Sequence, residues 1–397
     1  MGKKPLAGLR VIELGQLIAG PFAGKALAEF GAEVIKVEPP EGGDPLRQWR
    51  EVYEGTSLWW YVQARNKKSM TVNLRLAEGQ EIVRKLARDA DVVIENFRPG
   101  TLEKWGLGYD VLARENTGLV MLRLSGFGQT GPYRDLAGFG AIAESMGGMR
   151  YVTGFPDRPP VRLNLSIGDS LAALHGVIGV LMALHHRTTN GGKGQVVDVA
   201  LYEAVFNMME STLPEYDMFG IVRERTGSNL TGIVPSNTYL TREGHHVVIG
   251  ANADSIFKRL MSAIGRPDLA NDPALADNTG RAARADELDR VIGAWTGQND
   301  AETVLRVLAE AQVPSGKIYS IADIVKDPQY LARDMIRQLK LANGADLKVP
   351  GIVPKLSDTP GDIEWAGPAL GEHTAEVLAR LGYTDVEIAA LRERGAI

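Results

Sequence analysis

The sequence predicts an α/β fold with a parallel sheet, followed by a smaller, separate α+β unit. Three observations point there. Leu9–Leu14, Phe22–Phe30 and Glu33–Val37 read as strand, helix and strand, and a βαβ unit implies parallel strands covered by helices. Buried strands at Asp91–Glu95 and Leu119–Leu124 continue the pattern, each ending in a glycine-bearing loop. From Pro235 the pattern changes to a hairpin followed by helices.

In the first unit, Gly15-Gln16-Leu17-Ile18-Ala19-Gly20-Pro21 is the turn after the first strand, and Pro21 suits the first helical position. The turn is not G-x-G-x-x-G, and no Lys-Ser or Lys-Thr follows Gly20, so neither a dinucleotide fingerprint nor a P-loop is present. Ligand sites in such sheets lie at the carboxyl ends of the strands. Glu41–Pro45 is a surface loop, followed by Arg47, Trp49 and Arg50; Trp59, Trp60 and Tyr61 read as core or interface aromatics. Asn66-Lys67-Lys68-Ser69 turns into a short strand, Met70–Leu74, and a helix covers Gly79–Arg88. Asp91–Glu95 ends in Asn96-Phe97-Arg98-Pro99-Gly100, a short helix lies near Lys104, and Leu119–Leu124 ends in the loop Ser125–Pro132. The glycine-bearing loops outline one crevice. Arg75, Arg98 and Lys104 add positive charge close to it in sequence, although such charges are ordinarily solvated surface.

Ser166-Ile167-Gly168-Asp169-Ser170 stands before the apolar run Leu171–Leu184. Gly168 permits a sharp turn, and Asp169 or Ser170 can cap the helix that follows. The same placement would present a carboxylate nucleophile from the end of a rigid, buried element. After the helix, Gln195–Ala200 reads as a strand, Leu201–Met209 as helix and Pro214–Val234 as a linker. In the second unit, Asn237–Thr241 and His246–Gly250 flank a hairpin turn, and helices follow at Ser255–Ile264, Arg284–Thr296 and Ala301–Ala311. Asp327-Pro328 opens a return segment, and the chain ends in helices at Gly371–Leu381 and Asp385–Arg394.

Composition narrows the function. A chain of 397 residues is long enough for two domains and a large core. A net charge of -5 argues against nucleic-acid binding. With no cysteine, disulfides, thiolate metal sites and a cysteine nucleophile are excluded. The histidines include the adjacent pairs His185-His186 and His245-His246, whose side chains point in different directions; no metal site is expected. No G-x-S-x-G elbow occurs. The basic start Met1–Pro5 is followed by no apolar signal segment, and Leu171–Leu184 falls short of the roughly 20 residues that span a bilayer. No membrane partner is expected, and the expected location is the cytoplasm.

Several motifs together resemble the family III CoA-transferases, the group containing formyl-CoA transferase and carnitine CoA-transferase. They are Pro5–Val11, Ala19-Gly20-Pro21, Gly31–Glu38, Gly43-Asp44, Asn66–Ser69, Glu95–Gly100, Gly126–Pro132 and Leu370–Thr374. The resemblance covers essentially the whole chain. It implies a Rossmann-like large domain from residues 1–213 and 354–397, linkers at 214–234 and 327–353, and an inserted α+β domain at 235–326. It implies an interlocked homodimer, and Asp169 as the nucleophile that forms an aspartyl-CoA thioester. Coenzyme A thioesters and carboxylic acids are the implied substrates, with no tightly bound cofactor. The implied CoA site comprises Leu17, Ile18 and Ala19; Val72, Asn73, Leu74 and Arg75; Asn96, Phe97 and Arg98; Lys104; and Ala137 and Phe139.

Where formyl-CoA transferase has an arginine, this chain has Pro39, and Arg47 is the candidate replacement. Backbone N–H groups near Leu17-Ile18 and in Gly250–Ala253 are the candidate oxyanion donors. Asn252 and Asp254 interrupt the loop that is a glycine run in formyl-CoA transferase, and Gly140 stands where a carboxylate is common. The same fold hosts α-methylacyl-CoA racemases, whose histidine falls on Phe139; a phenyl ring moves no proton. A CoA-binding protein without catalysis is the remaining alternative, against which the intact Asp169 argues. Among transferases, the pattern is most similar to succinyl-CoA-dependent members acting on dicarboxylates such as glutarate, malate or citramalate.

Overall fold

The computed structural model describes residues 4–397. The chain forms two compact units. One takes in the residues up to Met149, Leu163–Glu210 and Ala332–Ile397; the other is Arg150–Arg162 with Ser211–Leu331.

The first unit is built on six strands: β1 (Arg10–Glu13), β2 (Glu33–Glu38), β3 (Lys67–Thr71), β4 (Val92–Glu95), β5 (Val120–Ser125) and β6 (Val196–Ala200). All pair in parallel, in the order β3-β2-β1-β4-β5-β6. This is the doubly wound order, and it reverses between β1 and β4. Successive side chains point to opposite faces, and both faces are apolar. On one face Ile12, Ile35, Val93 and Met121 pack with the helix Ala77–Arg88 and the C-terminal helices Thr374–Arg380 and Asp385–Glu393. On the other, Val11, Val34, Ile94 and Leu122 pack with the helices Ala19–Glu29, Gly140–Met146 and Ile167–Thr189. Each such side chain contributes roughly 1.5–3 kcal/mol when fully buried.

The second unit holds three antiparallel strands, with His246–Gly250 between Ser236–Leu240 and Ser315–Lys317. The hairpin expected around Arg242–His245 is present. Helices Asp254–Ala263, Ala285–Thr296 and Ala301–Glu310 enclose a core around Phe257, Leu260, Ile292 and Val304.

Several local expectations need correction. β3 begins at Lys67, three residues before the expected strand, because Lys67 and Ser69 are buried polar residues with buried partners. The first helix starts at Ala19, so Pro21 is its third residue; first-turn N–H groups have no helical partner, so proline is tolerated there. The helix behind Asp169 runs Ile167–Thr189, and its 23 residues are long and apolar enough to cross a membrane. In this fold it buries Gly168, Ala172, Gly176, Val180 and Ala183 along one stripe, packed on the first helix and on β5. The 214–234 stretch begins within a helix, Thr212–Phe219. The 327–353 stretch carries a hairpin, Ile336–Lys340 with Asp346–Pro350, whose well-buried apolar side chains are Leu339 and Val349.

Candidate functional site

The turn after β1 lies beside the sheet reversal. Leu17 has a φ of +64°, a left-handed conformation that leucine avoids, so its neighbours must hold it. Asp44 does so. Its Oδ1 and Oδ2 accept from the Leu17 N–H at 3.0 and 3.2 Å, and Oδ1 also accepts from the Leu46 N–H at 2.9 Å. Asn96, just past β4, accepts from the Gln16 N–H at 2.7 Å and donates to the Gln16 carbonyl at 2.8 Å.

Behind the turn is a buried set of charges. Lys36 donates to the Gly15 carbonyl and lies 2.7 Å from Asp44 Oδ2 and 3.3 Å from Glu13 Oε1. Lys67 donates to Glu13 Oε2 and to the Pro21 carbonyl, each at 2.7 Å. Glu38 accepts from Ser69 Oγ at 2.6 Å and from the Asp44 N–H at 3.0 Å. Burial alone would pull Lys36 down, but Asp44, Glu13 and Glu38 outweigh it and hold its ammonium above the usual lysine value. Burial would raise Asp44, and Lys36 with the Leu46 and Leu17 N–H groups keeps it below the usual carboxylate value. At Lys67 burial prevails over Glu13, with Lys36 adding repulsion, and the value falls.

Arg47, the candidate replacement at the CoA site, is held by partners within the fold. It is buried, with Nε and Nη2 donating to Glu38 at 2.7 and 2.8 Å and Nη1 donating to the Pro368 carbonyl at 3.2 Å. Its guanidinium also stacks 3.7 Å from the Trp60 ring centroid. Gly43 makes this arrangement possible: its φ is +67°, and a Cβ there would lie 2.8 Å from Glu38 Oε2.

A cavity of about 740 Å³ opens at the carboxyl ends of β1 to β4, a size suited to a small-molecule ligand. It brings together Val72, Asn73, Leu74, Arg75 and Phe97 from the expected set. Pro39, singled out in the sequence, also lines it, as do Gln16, Pro40, Glu41, Trp105 and Gly395, which sequence reasoning missed. Trp105 meets Phe97 edge-on, with centroids 5.4 Å apart. The Phe97 N–H donates to Glu95 Oε2 at 2.8 Å, and Glu95 Oε1 accepts from Arg123 at 2.7 Å. Burial raises Glu95, and Arg123 does not fully offset it. Asn73 is held through the chain end: its N–H donates to the Ala396 carbonyl at 2.8 Å. Arg98 and Lys104 are exposed on the stretch after β4 and are not among the lining residues. Ile18 and Ala19 are buried beneath the turn.

Asp169 is half-buried in the first turn of the helix Ile167–Thr189, whose N-cap is Ser166, so neither Asp169 nor Ser170 is the cap. The carboxylate lies against Gly140, the first residue of the helix Gly140–Met146. A Cβ built on Gly140 would stand 2.1 Å from Asp169 Oδ2 and 2.9 Å from its Cγ. Gly168 is helical, and a Cβ there would be 3.0 Å from the Gly140 carbonyl. Close approach, rather than a sharp turn, is what requires glycine at 168. Phe139 caps Gly140–Met146 and is 67% exposed. Ala137 is also exposed, and neighbouring Gly138 packs on Gly126 of the loop after β5. Ala19, Ala143 and Ala172 share one apolar cluster, so the β1 turn and both of these helices are fixed in one body.

A doubly wound sheet with a ligand-sized cavity at its reversal, and a carboxylate in the first turn of a core helix, is the layout of an α/β enzyme. The chain belongs to CoA-transferase family III, whose profile matches residues 6–374. It is 52% identical over 396 residues to a succinyl-CoA–D-citramalate CoA-transferase of Chloroflexus aurantiacus, covering 99% of this chain and 98% of that protein. It is 36% identical to a succinate–glutarate CoA-transferase of Agrobacterium fabrum, covering 96% of each. The crystal structure of a CAIB/BAIF family protein from Brucella suis superposes with a TM-score of 0.83 at 35% identity, covering 96% of this chain and 100% of that one.

Proposed function

We propose that this enzyme moves CoA from succinyl-CoA to a dicarboxylic acid, with Asp169 as covalent nucleophile and CoA held in the cavity beside Arg75. The observation that carries this reading is the Asp169 carboxylate set against Gly140 on rigid helices. The named substrates of the relatives support the choice of donor and acceptor class. A carboxylate oxygen of Asp169 attacks the thioester carbonyl; the C–S bond breaks, giving a mixed anhydride and CoA thiolate. The thiolate attacks the aspartyl carbonyl and displaces succinate, leaving a β-aspartyl-CoA thioester. The acceptor carboxylate attacks that thioester and releases the thiolate. The thiolate then takes the acceptor acyl group and frees Asp169. No net proton transfer is needed, and splitting the exchange lowers each barrier. Each step passes through an oxyanion that needs fixed donors. The Leu17 N–H is bound to Asp44, so Ile18 and Ala19, whose first-turn N–H groups lack helical partners, are the better candidates.

Steady-state kinetics with paired donors and acceptors test this. Succinyl-CoA with citramalate, malate or glutarate is expected to exceed formyl-CoA with oxalate by at least about a hundredfold in kcat/KM. Equal use of monocarboxylate acceptors counts against the dicarboxylate reading. In the same assay Arg75→Ala raises KM for every donor alike and leaves kcat unchanged. Arg75 is exposed, so the effect is up to about fivefold.

We further propose that two chains form an interlocked homodimer in the cytoplasm. Leu174, Ile178 and Met182 stand one helical turn apart at 46%, 50% and 67% exposure, and an apolar stripe of that kind supports self-association. Interlocked chains separate only by unfolding, so sedimentation at nanomolar concentration should find dimer alone. A folded, active monomer there defeats the interlocked arrangement.

A further inference from the structure

Glu33–Glu38, Gly43-Asp44 and Asn66–Ser69 take no part in the chemistry above, yet the structure brings all three stretches to one place. They supply Lys36, Glu38, Asp44 and Lys67, which with Glu13 form the buried charge set behind the β1 turn, and Ser69, whose hydroxyl donates to Glu38. Two of these groups reach the turn's backbone between Gly15 and Ala19: Lys36, at the Gly15 carbonyl, and Asp44, at the Leu17 N–H. That turn joins the two halves of the site. Gln16 lines the cavity, and Ala19 packs in the same cluster as Ala172, three residues beyond Asp169.

Building two charged side chains into a core is a poor way to gain stability, because desolvation offsets their attraction. It is a good way to fix one conformation. Leu17 would leave φ +64° if its N–H lost its acceptor, since that region is unfavourable for leucine. We propose that Asp44 is a positioning residue for CoA transfer: through the Leu17 N–H it holds the Gly15–Ala19 turn in register with both the cavity and Asp169, and Lys36 is its counter-charge. This rests on the transfer reading given above.

Two full-length double variants separate positioning from simple stabilisation. Lys36→Met/Asp44→Asn and Lys36→Met/Asp44→Ala both remove the ion pair together, so neither leaves that pair half-made. The asparagine side chain still offers an oxygen to the Leu17 N–H, whereas the alanine side chain offers none. The alanine double variant is expected to show kcat about a hundredfold below the asparagine one, the loss that a displacement of about 1 Å brings. KM for succinyl-CoA should stay within about threefold, and amide exchange should quicken in the 15–19 segment alone. Equal kcat in the two, or a kcat loss that tracks a fall in melting temperature, overturns the proposal. Leu17→Pro leaves every charge in place and removes the N–H and the left-handed φ, together with the leucine side chain. It should give the same kcat loss even if the double variants fail to fold, and wild-type kcat in Leu17→Pro overturns the proposal too. Wild-type enzyme with succinyl-CoA alone is the control. No CoA adduct on Asp169 there defeats the transfer reading itself, whereas an adduct with indifferent variants defeats only the role of Asp44.

Discussion

Asp169→Asn is expected to fold, bind CoA and lose transfer by about 10⁴–10⁶-fold, the scale seen when a covalent nucleophile is removed. The amide keeps the shape of the carboxylate against Gly140 but cannot attack a thioester. Asp169→Ala removes both shape and nucleophile and should fall as far. Neither should unfold the protein. Asp169 is not the cap of its helix, and losing a charge from a helical first turn costs about 0.3–1 kcal/mol. Mass spectrometry gives the direct check. Wild-type enzyme with donor alone should carry a CoA-sized adduct, and hydroxylamine should turn the modified side chain into a hydroxamate at position 169. An adduct mapped to another residue, or near-wild-type transfer by Asp169→Ala, ends the proposed mechanism.

Gly140→Ala is the second large effect. Its methyl carbon would start 2.1 Å from Asp169 Oδ2, while real contacts to such a carbon lie beyond about 3 Å. The carboxylate must therefore shift by about 1 Å or turn away, and a nucleophile misplaced by that much loses about a hundredfold in kcat. KM for acyl-CoA should hold, because Gly140 is not among the residues lining the cavity. Gly168→Ala serves as the milder comparison: its added carbon would meet the Gly140 carbonyl at 3.0 Å and not the carboxylate. Wild-type kcat in Gly140→Ala would mean that the reacting carboxylate sits elsewhere.

Much of the sheet is legible in the sequence because parallel strands are buried on both faces. Leu9–Leu14, Glu33–Val37, Asp91–Glu95 and Leu119–Leu124 are short apolar runs that fit little but a buried strand. The start of β3 is hidden because Lys67 and Ser69 sit inside it, and only tertiary partners make such residues tolerable there. The hairpin of Ile336–Lys340 and Asp346–Pro350 carries a signal that sequence reasoning missed: Leu347 and Val349 alternate with Asp346, Lys348 and Pro350, and Asn343-Gly344 stands in the turn. Val72 to Arg75 and Phe97 follow strand ends, so their meeting at the cavity is foreseeable. The true role of Arg47 is not, since nothing in the chain's order reveals that Glu38 and Trp60 surround it. Gly395 lies far along the sequence from the strands it closes upon. The sequence hint of the buried charges is Lys36 and Glu38 set among Val34, Ile35 and Val37 in one strand.

Those charges also decide how the strands may align. Glu13 stands opposite Lys36 in the β1–β2 pairing, and Lys36 stands opposite Ser69 in the β2–β3 pairing. A slip of one residue in β2 would turn Lys36 to the other side of the sheet, into the layer holding Ile12, Ile35 and Met70. The lysine would there face hydrocarbon, leaving its carboxylate partners unpaired. Interior ions without partners cost several kcal/mol each, a penalty comparable to a domain's whole margin of stability. The apolar positions of β1 and β2 are interchangeable valines and isoleucines, yet β1, β2 and β3 are thus given a single permitted alignment, and a misaligned sheet carries that penalty whatever packs on it.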